Sequence, residues 1–99
     1  MPGTSVNRLH AVVRGHVQGV GFRFWAHHTA QRLPGGVAGV VRNLPDGTVE
    51  VEAESPERGV LDALFHELHV GPTHAQVTAV EAEWEENVAP RYTGGFRVA

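Results

Sequence analysis

The sequence predicts an α+β fold in which two helices cover one face of an antiparallel sheet. Three observations lead to this prediction. Short segments alternate apolar and polar residues with the period of two that is typical of half-buried strands. Two longer segments carry apolar residues at helical spacing, and glycine or proline separates the segments from one another. A chain of 99 residues is long enough for one hydrophobic core and too short for two.

The first part of the chain predicts a strand, a loop and a helix. The strand covers residues 8–14, in which the side chains that point one way are Leu9, Ala11 and Val13. Residues 1–7 before it are expected to form a flexible tail. The glycines between Gly15 and Gly21 indicate a tight loop. The apolar stripe of the helix that follows consists of Phe22, Trp25, Ala26, Thr29, Ala30 and Leu33, and Pro34-Gly35-Gly36 is expected to end the helix.

The middle of the chain predicts a hairpin and a second helix. Residues 37–43 are largely small and β-branched, and Leu44-Pro-Asp-Gly47 is a turn sequence. The third strand has one solvated face, since its outward side chains are Thr48, Glu50, Glu52 and Glu54. We expect Ser55 to be an N-cap and Pro56 to take the first helical position. The second helical stripe consists of Val60, Leu61, Leu64, Phe65 and Leu68, followed by Gly71-Pro72.

The last part of the chain predicts a fourth strand with a bulge. Its alternation runs through Val77 and Ala79 and then slips by one residue to Val80 and Ala82. A short closing strand is expected at residues 96–98. The resulting order, βαββαβ, is the ferredoxin-like or split βαβ arrangement, and we expect residues 8–99 to form this single domain. This fold hosts enzymes, RNA-binding proteins and metal carriers, so the residues must decide the function.

Composition excludes several classes of function. The net charge of −3 argues against binding to a nucleic-acid backbone, which needs clustered Lys and Arg. With no cysteine, the chain has no disulfide, thiol nucleophile or thiolate metal site. No apolar stretch is long enough to be a signal peptide or to span a bilayer. We therefore expect a cytoplasmic protein, monomeric, with no nucleic-acid or membrane partner.

The glycine-rich loop before the first helix is a candidate anion site. Backbone N–H groups of such a loop converge at the helix N-terminus, where the helix dipole adds positive potential. Arg23 stands at the start of this helix and can hold a tetrahedral oxyanion with two parallel hydrogen bonds. Asn43 lies directly before the predicted turn. From composition alone, the loop also fits a simple tight turn, and Asn43 also fits a residue that caps its turn.

Two sequence blocks carry a resemblance to a known family. Gly15-His-Val-Gln-Gly-Val-Gly-Phe-Arg23 resembles the first signature of the acylphosphatases, and Gly39-Val-Val-Arg-Asn43 resembles their second signature. The segments around Asp46–Val51, Gly71–Val77 and Phe96–Val98 are also similar, so the resemblance covers nearly the whole chain. It implies a ferredoxin-like fold and the hydrolysis of acyl phosphates, such as acetyl phosphate, to a carboxylate and inorganic phosphate.

The resemblance also implies roles for individual residues. Arg23 matches the phosphate-binding arginine of the family, and Asn43 matches the asparagine that positions the attacking water. The residues that match its phosphate cradle, acting chiefly through backbone N–H groups, are His16, Val17, Gln18, Gly19, Val20, Gly21 and Phe22. No metal and no cofactor is implied. The acyl phosphate is the expected partner, and inorganic phosphate is the product and an expected competitive inhibitor.

The sequence departs from the family pattern at two places. The connection Leu33-Pro-Gly-Gly-Val-Ala-Gly-Val40 has an extra residue and places Val40 where the family has an aromatic residue. Ser55 stands where glycine is common. Neither departure affects Arg23 or Asn43.

Other functions are open at this point. One is a non-catalytic regulatory module that binds phosphate or carbamoyl phosphate, like the similar domain of larger hydrogenase-maturation proteins. His66 and His69 could share a helix face as metal ligands, although the sequence supplies no third ligand beside them. His16 could modulate anion affinity through its charge near neutral pH. His27 and His28 lie off the apolar stripe of the first helix and are expected to be solvated, as are the glutamates of the third and fourth strands.

Overall fold

A computed structural model of the chain describes residues 5–99. The elements are β1 (Val6–His16), α1 (Phe22–Arg32), β2 (Ala38–Asn43), β3 (Val49–Ser55), α2 (Arg58–Leu68), β4 (Gln76–Val88) and β5 (Phe96–Val98). This order confirms the predicted βαββαβ arrangement with a short closing strand. No helix within these residues is both long and apolar enough to cross a membrane.

The five strands form one sheet in the order β4-β1-β3-β2-β5. The first four pair antiparallel, as predicted. The prediction of an entirely antiparallel sheet is wrong at one edge, because β5 runs parallel to β2. The chain leaves β4 at the end of the sheet where β2 begins, and residues 89–95 cross that end. A strand that starts there beside β2 must run in the same direction as β2.

Both helices lie on one face of the sheet and bury its apolar side chains, as predicted. The sheet contributes Leu9, Ala11, Val13, Val41, Val49, Val51 and Ala53 to this core. The helices contribute Phe22, Ala26 and Ala30 from α1 and Val60, Leu61, Leu64 and Leu68 from α2. The core therefore follows the period-two and helical patterns of the sequence.

The boundaries of several elements differ from the prediction. Val6 and Asn7 belong to β1 rather than to a flexible tail, while residues 1–4 of that tail lie outside the described residues. Ser55 is not an N-cap, because it pairs with Asn7 at the end of β3. Glu57 takes the N-cap position and α2 begins at Arg58, so Pro56 precedes the helix. The Ser55 hydroxyl instead accepts a hydrogen bond from the Glu57 amide at 3.1 Å.

The predicted bulge in β4 is confirmed. Arg14 pairs with Ala79 and Gly15 with Val77, which leaves Thr78 as the extra residue. A second irregularity near the end of β4 was not predicted, and Asn87 there has a φ of 55°. Gly15 is required beside the first bulge, because a Cβ at this residue would lie 2.0 Å from the Gln76 carbonyl oxygen.

The prediction that Glu54 is solvated is wrong. Its side chain is only 2% exposed, because residues 89–95 pass over it on the face of the sheet opposite the helices. The carboxylate accepts hydrogen bonds from Arg8 Nε at 2.7 Å and from the amides of Arg91 and Tyr92 at 3.0 Å. Burial disfavours the Arg8 charge, but its hydrogen bonds to Glu85 and Glu54 more than offset this and raise the pKa of Arg8.

Breaking this buried ion pair should destabilise the protein. Glu54→Gln removes the carboxylate charge opposite Arg8, and we expect the free energy of unfolding to fall by about 3 kcal/mol in urea denaturation. The control is Glu86→Gln, whose carboxylate pairs with Arg58 at 2.7 Å but is 61% exposed. We expect a loss below about 1 kcal/mol for this variant. Equal losses would show that burial does not matter here.

Candidate active site

A cleft of about 150 Å³ lies where the glycine-rich loop, the start of α1 and the end of β2 meet. It is lined by Val17, Gly19, Gly21, Phe22, Arg23, Phe24 and Asn43. The structure thus brings Arg23 and Asn43 to one cleft. The register explains this proximity, because Val49 of β3 pairs with Val13 on one side and with Asn43 on the other. The ends of β1 and β2 therefore lie at the same end of the sheet, with β3 between them.

The loop presents free backbone donors to this cleft. Gly19 and Gly21 have φ values of 76° and 79°, a left-handed conformation that glycine adopts without a steric cost. Gly21 is the N-cap of α1, with no side-chain cap and no acidic residue in the first turn. The first intrahelical bond runs from the Trp25 amide to the Gly21 carbonyl at 3.0 Å. The amides of the first turn before Trp25 have no intrahelical acceptor and can bind an anion.

Gln18 fixes the loop to the β2–β3 turn. Its side-chain amide donates hydrogen bonds to the carbonyl oxygens of Leu44 and Thr48, both at 2.8 Å. Gln18 does not line the cleft. The family resemblance implies that Gln18 belongs to the phosphate cradle, and in the structure its side chain also holds that loop beside the turn that follows Asn43.

The Arg23 guanidinium is held from one side only. Its Nη1 donates a hydrogen bond to the backbone oxygen of Ala99 at 2.9 Å. Within residues 5–99 no aspartate or glutamate side chain forms a salt bridge with Arg23, although Arg8, Arg14, Arg42, Arg58 and Arg91 each have such a partner. The remaining guanidinium donors are available to an oxyanion in the cleft.

Asn43 does not cap the turn that follows it. Asp46 does so, because its carboxylate accepts hydrogen bonds from the Thr48 hydroxyl at 2.6 Å and the Thr48 amide at 3.0 Å. These two bonds hold the pKa of Asp46 below its ordinary value, and the bond from the hydroxyl has the larger effect. In the described part of the chain the Asn43 side chain has no hydrogen-bond partner. It is exposed and free to hold a water molecule in the cleft.

The remaining loop residues of the predicted phosphate cradle, His16 and Val20, do not line the cleft. His16 is the last residue of β1 and is exposed, outside the residues that line the cleft. Val20 is half-buried and packs against the core. His69, one of the two candidate metal ligands, hydrogen-bonds through Nδ1 to the Phe65 carbonyl oxygen at 2.8 Å. No group of three or more potential metal ligands occurs within residues 5–99.

Phe24 also lines the cleft and was not predicted from the sequence. It lies off the apolar stripe of α1, and its side chain is exposed at the cleft. An aromatic residue on the solvent side of a helix, directly after Arg23, is the signal that could have identified it.

A larger cavity is unsuited to an anion. It measures about 510 Å³ on the sheet face opposite the helices, and its lining includes Glu52, Glu83 and Glu85. The carboxylates would repel a phosphate, so volume alone does not identify the site.

Comparisons with known proteins show which family the chain resembles. The family model described as Acylphosphatase matches residues 9–98. An acylphosphatase from Thermococcus kodakarensis is 50% identical over 92% of this chain and 93% of its own length. The crystal structure of an acylphosphatase from Bacillus subtilis superposes with a TM-score of 0.84 at 29% identity, covering 94% of this chain and 98% of that one. An acylphosphatase structure from Coxiella burnetii gives a TM-score of 0.81 at 38% identity, covering 96% and 94%.

Loss of the Gln18 tether should weaken the fold. Gln18→Ala leaves the Leu44 and Thr48 carbonyls without a side-chain donor, and we expect about 1–2 kcal/mol of destabilisation in urea denaturation. Gln31→Ala is the control, since Gln31 is exposed on α1. An equal effect of the two substitutions would argue against a tether.

Proposed function

The chain belongs to the acylphosphatase family, and on that premise we propose that it hydrolyses acyl phosphates to a carboxylate and inorganic phosphate. The observation that carries the proposal is the single cleft in which Arg23, Asn43 and the unpaired loop amides meet. All three groups suit a phosphoryl oxyanion or the water that attacks it.

The loop and Arg23 hold the phosphoryl group. Amides of the loop residues that line the cleft, among them Gly19 and Gly21, and the guanidinium donate hydrogen bonds to its oxygen atoms. The helix dipole adds about half a positive charge. These donors are fixed before the substrate arrives, because Gln18 anchors the loop and Ala99 holds the guanidinium. Preorganised donors stabilise the transition state without reorganising during the reaction.

Asn43 orients the attacking water toward phosphorus. The new bond forms between the water oxygen and phosphorus, and the bond from phosphorus to the acyl oxygen breaks in line with it. The carboxylate leaves with the bonding electron pair, and a phosphoryl oxygen takes the proton that the water loses, so the products are a carboxylate and dihydrogen phosphate. The described residues that line the cleft include no carboxylate and no imidazole, so the mechanism uses positioning and charge rather than a general base.

The reaction needs no metal ion and no other cofactor in this mechanism. We also propose that the protein is a cytoplasmic monomer without a nucleic-acid partner. The absence of cysteine supports this location, because small secreted domains depend on disulfides. The glutamates on the open sheet face, among them Glu81 and Glu83, would repel RNA. No observation favours the alternative of a regulatory module.

Substitutions at the two proposed catalytic residues test the mechanism. In EDTA, we expect wild-type protein to hydrolyse acetyl phosphate and benzoyl phosphate. Arg23→Ala and Asn43→Ala should each lower kcat/KM by about 100-fold or more, because each removes a group that acts on the transition state. Inorganic phosphate should inhibit Asn43→Ala but no longer inhibit Arg23→Ala.

The control is Arg32→Ala, which removes an exposed arginine at the other end of α1. We expect its kcat/KM to equal that of the wild type. Full activity in folded Arg23→Ala or Asn43→Ala would refute the assigned role. An inactive wild type that still binds inorganic phosphate through Arg23 would point to the regulatory module.

A further inference from the structure

Phe24 is an exposed aromatic side chain at the mouth of the cleft. It is 59% exposed, and Val70 at 63% is the other large apolar side chain so exposed within residues 5–99. Single exposed apolar residues are common and need no explanation by themselves. Phe24 and Val70 differ in their location, because Phe24 lines the cleft with Arg23 and Asn43, whereas Val70 does not.

The Phe24 ring lies beside the phosphate-binding groups. The centre of the ring is 5.9 Å from the Arg23 guanidinium carbon, at the edge of cation–π distance. Both residues belong to the first turn of α1, so the helix fixes the ring next to the free amides. A phosphoryl group held by those amides and Arg23 has the ring as a neighbour.

The acyl group of a bound substrate must extend out of this small cleft. The cleft that the loop and Arg23 line measures about 150 Å³, roughly the space of five water molecules, so it cannot hold an extended acyl group together with the phosphoryl group. The acyl oxygen departs on the side opposite the attacking water, so the acyl chain extends over the rim of the cleft. Phe24 is the exposed apolar surface available on that rim.

The charges at the cleft restrict the kind of acyl group. Arg23 is the one charged side chain among the described residues that line the cleft, and its guanidinium pairs with the phosphoryl group of the substrate. A second anionic group on the substrate would find no cation in the lining. An aromatic or extended apolar group would instead bury its surface against the Phe24 ring.

We propose that Phe24 is an acyl-binding residue that makes the site favour acyl phosphates with aromatic or extended apolar groups over acetyl phosphate. This inference rests on the proposed hydrolytic function. The contact exists in both the ground state and the transition state, so it lowers KM for such substrates and leaves kcat nearly unchanged.

The test compares kcat/KM for benzoyl phosphate and acetyl phosphate in wild type, Phe24→Ala and Phe24→Tyr. The ratio of the two values is compared between proteins, so the intrinsic reactivities of the substrates cancel. We expect the benzoyl-to-acetyl ratio to fall about fivefold in Phe24→Ala, through KM for benzoyl phosphate. Phe24→Tyr keeps the ring and should restore the wild-type ratio within about twofold.

Two controls separate an acyl contact from an indirect effect. Val70→Ala removes the other exposed apolar side chain and should leave the ratio unchanged. The inhibition constant of inorganic phosphate reports on Arg23 without an acyl group, and we expect it to change less than the ratio in Phe24→Ala. The inference is overturned if the binding of both substrates and of inorganic phosphate weakens by the same factor in Phe24→Ala, since Phe24 would then act through Arg23.

The outcomes also distinguish this inference from the proposed function. If wild type hydrolyses both substrates and Phe24→Ala keeps the wild-type ratio, the acyl-binding role is wrong and the hydrolytic function stands. If wild type hydrolyses neither substrate, the proposed function itself is wrong, and this inference fails with it.

Discussion

The pairing of Val49 determines where the site forms. This residue of β3 pairs with Val13 in β1 and with Asn43 in β2, so it fixes the two neighbouring strands at one end of the sheet. The loop after β1 carries the free amides and Arg23, while β2 ends on Asn43. A slip of one residue in either ladder would turn the apolar side chains away from the helices. The burial of the core therefore also fixes the geometry of the cleft.

The protein binds an anion locally although its net charge is negative. It has 11 acidic residues and a net charge of −3, yet none of the described residues that line the cleft is acidic. Many of the glutamates lie on the face of the sheet opposite the helices. There Glu50 pairs with His10, and Glu81 and Glu85 pair with arginines. The potential near the loop depends on the adjacent amides and Arg23 rather than on total charge. The net charge argues against a basic surface, but it could not predict this separation.

Local patterns in the sequence were enough to predict the elements and the core. The alternation in β1 and β3 and the stripes of both helices depend on neighbouring residues, and the structure confirms them. The glycine pattern also placed the loop correctly, because a positive φ at Gly19 and Gly21 is a local property. Arg23 and Asn43 were identified by a resemblance to a family, since spacing alone also fitted an ordinary turn.

The features that the sequence did not predict depend on contacts between distant segments. Glu54 alternates like an exposed strand residue, and its burial follows from residues 89–95 crossing the sheet. The parallel pairing of β5 has the same origin. Phe24 resembles any exposed position on a helix until the fold places it in the lining of the same cleft as Asn43. In each case the deciding neighbour lies far away in the sequence.

The buried ion pair of Arg8 and Glu54 connects one end of the sheet to the site at the other. Glu54 binds the amides of Arg91 and Tyr92 and so fixes the segment that leads into β5. That strand pairs with β2, and the amide of Ala99 after it donates to the Val41 carbonyl at 2.9 Å. The oxygen of the same residue accepts the hydrogen bond from Arg23. The position of the guanidinium thus depends on a crossing segment that does not line the cleft. Such an arrangement places Arg23 before substrate binds, at the expense of ordering residues that take no part in the chemistry.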